Sequence, residues 1–307
     1  MTSTRTGFAD PRGFPFLGEA LPNLELSYEV FPPKNEAMAG KLLDAVDRLN
    51  DLPWAYISVT CGAGGGEKTG TAEWVQSLQQ RTGTPTVAHF TCASLSRGEA
   101  DDIARAYWDS GIRRLVALRG DRPKDGSALA PADGYAYAVD LVRGLRKVAP
   151  FDISVAGYPE AHPEARSAKA DLANLKAKVD AGAARVITQY CFDTDRILRF
   201  RDAMTALGIH VPLVVGIMPI HNFTQIQRFS AGCGAGIPDW LPAMFEGIED
   251  DPVQAYPVAA SLAAEQMRRL IAGGIHQFHI YTLNRAELTL ALCRLLGIAG
   301  RSDRAAA

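Results

Sequence analysis

Two carboxylates in this sequence sit where acid–base chemistry is possible. Glu29 lies in SYEVFPPK, flanked by Tyr28, Val30 and a pair of prolines. A glutamate partly removed from water keeps its proton to higher pH and can act as a proton donor near neutrality. Asp121 follows LRG and precedes Arg122 and Pro123. Taken singly, a glutamate in such a setting is more often half of an ion pair, and an aspartate there could simply cap a turn. Their company changes the reading. Thr60, His89, Tyr158, Gln189 and Tyr281 each fall at or just past the end of a predicted strand, as Asp121 does.

The elements that must position these residues alternate along the chain. Predicted strands end near Phe31, Cys61, Cys92, Gly120, Tyr158, Phe192, Pro219 and Leu283, and amphipathic helical stretches follow most of them. Helices are expected over Lys41 to Leu52, Ile103 to Gly111, Ala170 to Ala181 and Ala286 to Leu296. Eight strand-then-helix units match a (β/α)₈ barrel, for which about 250 residues is typical, with an open doubly wound sheet as the alternative. Residues two apart on a strand share a face. In the first strand Leu24, Leu26, Tyr28 and Val30 share one face and should meet the helices; Glu25, Ser27, Glu29 and Phe31 share the other, so Glu29 should point into the barrel near its C-terminal end. The C-terminal ends of the strands form the rim where barrel enzymes hold their active sites. The expected organisation is an N-terminal arm over residues 1–23, a barrel over 24–297 and a disordered tail over 298–307. One or two extra helices are expected within Gly232 to Gly274, before the last strand.

Other chemistries fit less well. The segment CGAGGGEKT keeps Gly62, Lys68 and Thr69 of a phosphate-binding loop, but Glu67 replaces the second glycine and would face phosphates with a carboxylate. A loop over the barrel mouth is the better reading. His276 and His279 are three apart on or beside a strand, which points them to opposite faces, and no metal site is expected. Cys61, Cys92 and Cys191 fall near strand ends and could approach one another as zinc thiolates, although small buried residues are the plainer reading. The 307 residues are 47% hydrophobic and carry a formal charge of −2, from 32 basic and 34 acidic side chains. That balance suggests neither nucleic acid nor a membrane surface as a partner. Five cysteines without a C-x-x-C pair, and an N-terminus without an apolar signal segment, point to a reducing cytoplasm.

The segments SYEVFPPK, ARAYWDSGIRRLVALRGD, FDISVAGYPEAHPEA, NLKAKVDAGAARVITQYCFD and FHIYTLNRAE together resemble bacterial methylenetetrahydrofolate reductases, from about Leu24 to Leu296. The resemblance implies the same barrel and an activity: reduction of 5,10-methylenetetrahydrofolate to 5-methyltetrahydrofolate, with FAD relaying hydride from NADH or NADPH. It implies Glu29 as general acid and Asp121 as the carboxylate beside the flavin that also engages the pterin. Gln189 would be a folate-binding amide. Gln225, Phe229 and Arg285 would contact folate or nicotinamide, Phe229 by stacking. Thr60, His89, Arg119, Gly120, Ala138, Tyr158, His162, Ala165, Asp171, Asn174 and Lys178 would line the FAD site. The ring-opened folate is an iminium cation formed once its leaving nitrogen is protonated. Glu29 could supply that proton and Asp121 the negative charge. Arg119 and Lys178 could balance the FAD pyrophosphate. The chain departs from the family at Cys61, Tyr190 and Cys191, where tyrosine and phenylalanines are more usual. Partners are then the reduced folate and the nicotinamide dinucleotide, and a homo-oligomer is expected. No regulation by S-adenosylmethionine is expected, because no residues remain for a C-terminal regulatory domain. Two rivals are a zinc-dependent thiol methyltransferase on the same barrel and a non-catalytic folate-binding protein.

Overall fold

The structure is a computed structural model that describes residues 24–61, 70–121, 131–298 and 300. The expected arm, the glycine-rich segment 62–69 and nearly all of the expected tail lie outside those residues. Eight parallel strands close on themselves in sequence order. They are β1 (Glu25–Val30), β2 (Trp54–Val59), β3 (Thr86–Thr91), β4 (Arg114–Leu118), β5 (Asp152–Gly157), β6 (Arg185–Thr188), β7 (Leu213–Ile217) and β8 (Gln277–Tyr281). The helices are α1 (Glu36–Leu49), α2 (Thr71–Thr82), α3 (Arg97–Asp109), α4 (Ala138–Val148), α5 (Ala168–Asp180), α6 (Thr194–Ala206), α7 (Phe223–Cys233), α8 (Trp240–Ala243), α9 (Pro252–Ala272) and α10 (Glu287–Leu295). The closed barrel settles the choice against an open sheet. The region before the last strand adds α8 and α9, the two extra helices allowed for.

Local chemistry sets several helix starts that hydrophobic periodicity misses. Expected from Lys41, α1 begins at Glu36, because the Asn35 side chain accepts a hydrogen bond from the Met38 amide at 2.9 Å. Expected from Ile103, α3 begins at Arg97, behind a capping box in which Ser96 and Glu99 satisfy each other's backbone amides. The strand ends agree to within two residues except in β6. It stops at Thr188, four residues before Phe192, where the chain curls so that the Tyr190 amide donates to the Gln189 side chain. No helix among the described residues is long and apolar enough to cross a membrane.

Strand alternation separates two cores. Leu26, Tyr28, Val30, Ile57, Val59, Phe90, Leu115, Ile153 and Val155 are buried beneath the helices. Inside the barrel, Tyr56, Val87, Val116, Ile187 and Val214 form a smaller apolar layer. An ionic cluster closes the N-terminal end of the barrel. Arg114 meets Asp152 at 3.1 Å, Arg185 meets the same carboxylate at 2.9 Å, and the Arg114 guanidinium lies 4.8 Å from the centre of the Tyr56 ring. Among the described residues, the interior is thus filled at its N-terminal end.

Candidate active site

Glu29 is the penultimate residue of β1 and faces inward, as its alternation with Tyr28 and Val30 requires. Its carbonyl accepts a hydrogen bond from the Thr282 hydroxyl at 2.7 Å. Two residues on, the Asn284 side chain accepts from the Phe31 amide at 3.0 Å and donates to the Phe31 carbonyl at 2.9 Å. Asn284 has φ +56 and Leu283 φ +52, left-handed conformations that side chains rarely adopt. This clamp fixes the segment after β1 to the segment after β8. Sequence reasoning missed it; the polar TLN run after a strand was the available signal.

Beneath Glu29 the interior is polar but uncharged. His279 is buried, with Nδ1 2.7 Å from the Ser27 hydroxyl and Nε2 3.1 Å from the Ser58 hydroxyl. Burial, with His89 nearby, pushes its pKa down to about 3, so the ring is neutral. Exposed His276 is on the segment before β8, apart from this pocket. Glu29 Oε2 lies 3.5 Å from Nε2 of His89 on β3. Burial raises the Glu29 carboxyl to about 8 and lowers the His89 imidazole to about 4. The contact is therefore between a protonated acid and a neutral imidazole at neutral pH, not a salt bridge. A carboxylic acid that keeps its proton at pH 7 and faces an open rim can act as a general acid.

A second cluster lies across the mouth, around β4, β5 and α5. Arg119 Nη1 pairs with Glu164 Oε2 at 2.6 Å, and Gly120 has φ +93. A Cβ at Gly120 would sit 3.1 Å from both Thr91 and Ala93. Asp121 follows at the rim. Tyr158 meets the His162 ring edge-on at 4.8 Å. The Asp171 side chain accepts from the His162 amide at 3.0 Å, and the Ala165 amide donates to the His162 carbonyl at 2.8 Å. Lys178 reaches in from α5 to the Ala156 carbonyl at 2.5 Å. Burial lowers its pKa to about 8, opposed by nearby Asp171. Thr60 follows β2 with its Oγ1 buried and without a partner among the described residues. A buried hydroxyl at a strand's C-terminal end with no protein partner is free to meet a ligand.

The remaining expected residues are less closely gathered. Gln189 follows β6 at the rim, its amide donating to the Gly157 carbonyl at 2.9 Å. Gln225 and Phe229 are on α7, with the Phe229 ring 40% exposed and open to stacking. Ala138 opens α4, and Asn174 is exposed on α5. Arg285 is exposed and lines a groove with Lys41, Tyr256, Asn284 and Glu287. Burial and nearby Glu160 push the Cys191 thiol up to about 12, and it donates to the Asp193 carbonyl at 3.5 Å. Cys92 donates to the Arg119 carbonyl at 3.6 Å. Among the described residues no three His, Cys, Asp or Glu side chains are grouped to hold a metal ion.

The sequence and the fold both have known relatives. The chain is 46% identical to the 5,10-methylenetetrahydrofolate reductase of Pectobacterium carotovorum over 282 residues, covering 92% of this chain and 93% of that one. It is 45% identical to the enzyme of the same name from Escherichia coli, covering 92% and 94%. Among solved structures, a Clostridium thermocellum protein that binds two copies of 5-methyl-5,6,7,8-tetrahydrofolic acid superposes with a TM-score of 0.64. It covers 91% of this chain and 96% of its own at 15% identity, a likeness of fold alone. The family model described as methylenetetrahydrofolate reductase matches residues 20–297. With near-complete coverage by both the model and the relatives, the chain belongs to the methylenetetrahydrofolate reductase family.

Proposed function

We propose that the protein reduces 5,10-methylenetetrahydrofolate to 5-methyltetrahydrofolate, using FAD and either NADH or NADPH. The observation that carries this reading is Glu29, held at the end of β1 with its carboxyl 3.5 Å from His89 Nε2, where burial raises its pKa to about 8 and favours the protonated acid at neutral pH. Folate reduction needs such a group, because the methylene carbon becomes a hydride acceptor only after its ring nitrogen is protonated. Asp121, at the rim, offers negative charge to the resulting cation.

The residues on β4, β5 and α5 fit FAD. Arg119 and Lys178 carry positive charge for a pyrophosphate, the orphaned Thr60 hydroxyl offers a hydrogen bond, and Gly120 lets the backbone approach closely. His89, Tyr158, His162, Ala165 and Asp171 complete that wall, with Ala138 and Asn174 at its edge. Bound there, FAD would supply the hydride relay between nicotinamide and folate. Gln189, Gln225, Phe229 and Arg285 would hold the two substrates in turn. The zinc methyltransferase reading is disfavoured by the chain's membership of the reductase family.

Since folate and nicotinamide would occupy one place in turn, initial rates at several fixed folate concentrations should give parallel double-reciprocal lines. Intersecting lines would show both substrates bound together and would contradict a shared site.

A further inference from the structure

We propose that Tyr281 is a positioning residue, a strut across the barrel mouth that holds the Gln189 amide at a fixed place relative to Glu29. The inference rests on the folate reading above.

Tyr281 ends β8 and is the register partner of Glu29 on β1. Its hydroxyl does not stay with these two strands. It passes over β7 and donates to the carbonyl of Thr188, the last residue of β6, at 2.7 Å. Gly216 on β7 permits that passage. A Cβ there would lie 2.3 Å from the Thr188 carbonyl oxygen and 2.6 Å from the Tyr281 ring. The Gly216 amide in turn donates to the Thr188 hydroxyl at 2.9 Å, so the end of β6 is held from both β7 and β8.

Gln189 is the next residue. On its other side Tyr190 packs edge-on against the Tyr281 ring, with centroids 6.2 Å apart. Gln189 is thus bracketed by two residues that Tyr281 touches. Because its side-chain oxygen accepts from the Tyr190 amide at 2.9 Å, the nitrogen end of the carboxamide is left to meet a ligand. The Tyr190 hydroxyl meets Ser230 at 3.1 Å, extending the tie to α7, which carries Gln225 and Phe229. At the other end, Tyr281 rests edge-on against His279 at 5.5 Å, whose ring nitrogens sit on Ser27 and Ser58. Burial, and Glu29 beside it, hold the Tyr281 phenol well above its ordinary range, so it remains a hydrogen-bond donor at any working pH. The acid and the amide thus share one rigid element. Misplacing a substrate-binding group by about 1 Å can cost a hundredfold in turnover.

Tyr281→Phe removes only the hydroxyl. It should keep its bound flavin and its rate of reduction by NADH. Its dissociation constant for 5-methyltetrahydrofolate, read by direct titration, should rise by about tenfold, and the folate half-reaction should slow by about tenfold to a hundredfold. Gly216→Ala keeps the hydroxyl but displaces the ring, and should reproduce the folate defect. The decisive readout is a double-mutant cycle. Gln189→Ala should weaken folate binding, and adding Tyr281→Phe to it should cause little further loss, since both act through one group. Wild-type binding of 5-methyltetrahydrofolate with Tyr281→Phe unaffected, or fully additive losses, would overturn the strut alone. A wild-type protein that binds no 5-methyltetrahydrofolate would overturn the folate reading and the strut with it.

Discussion

Glu29→Gln is expected to separate the two halves of the reaction. Glutamine keeps the size of the side chain and can still meet His89 Nε2, now 3.5 Å from the carboxyl, but it has no proton to give. Hydride transfer from NADH needs no acid, so reduction of the bound flavin should run at a near-normal rate. Transfer to folate needs the nitrogen protonated first. Loss of a general acid typically costs about 10² to 10⁴ in rate, so reoxidation by methylenetetrahydrofolate should slow at least about a hundredfold. Stopped-flow absorbance follows each half separately. Equal slowing of both would make Glu29 a structural or flavin-positioning residue, and no slowing of either would remove it from the chemistry.

The pH dependence follows from the same burial. With its pKa raised to about 8, Glu29 is protonated through the neutral range and deprotonates above it. The folate half-reaction should therefore be level below about pH 8 and fall by about tenfold per pH unit above it, while the nicotinamide half-reaction stays flat. Stability carries the same sign. A carboxyl whose folded pKa is raised, here from 4.5 to about 8, contributes stability that is fully present below 4.5 and is lost as pH rises through 8. His89 runs the other way, its folded pKa of about 4 below the ordinary 6.5, so its contribution is lost as pH falls through 4. Glu29→Gln removes only the first effect. Its melting temperature should exceed that of the wild type at pH 9, and the gap should close towards pH 4.5. A gap that widened at acid pH would mean that Glu29 is ionised and ion-paired in the folded protein.

Much of this site was readable before the fold was known, because strand alternation is rigid. Once Leu26, Tyr28 and Val30 are assigned to the helix side, Glu29 has to face inward, and it does. The same reasoning placed Thr60, Tyr158, Gln189 and Tyr281 at the strand ends. Features that depend on distant partners were not readable. Periodicity names Tyr281 as a rim residue, but not that it reaches over β7 to β6, since that depends on the absence of a Cβ at Gly216. The Asn284 clamp is hidden for a similar reason: its partner Phe31 is 253 positions away, and its left-handed backbone has no hydrophobic signature. Arg285 follows that clamp and lines a groove with Lys41, Tyr256 and Glu287, a setting that hydrophobic periodicity does not reveal either. The raised pKa of Glu29 follows from its apolar setting, but its contact with His89 does not, because that contact joins β1 to β3 across the barrel.

The proposed function requires the barrel mouth to hold a flavin that nicotinamide reduces and folate reoxidises. It is tested most directly by the visible spectrum of the purified protein under anaerobic conditions, titrated first with NADH or NADPH and then with methylenetetrahydrofolate. The account predicts flavin absorption bands that bleach with one of the nicotinamides and return with the folate. A protein that carries no flavin and takes up none when FAD is added, or a reduced flavin that the folate leaves bleached, would contradict it.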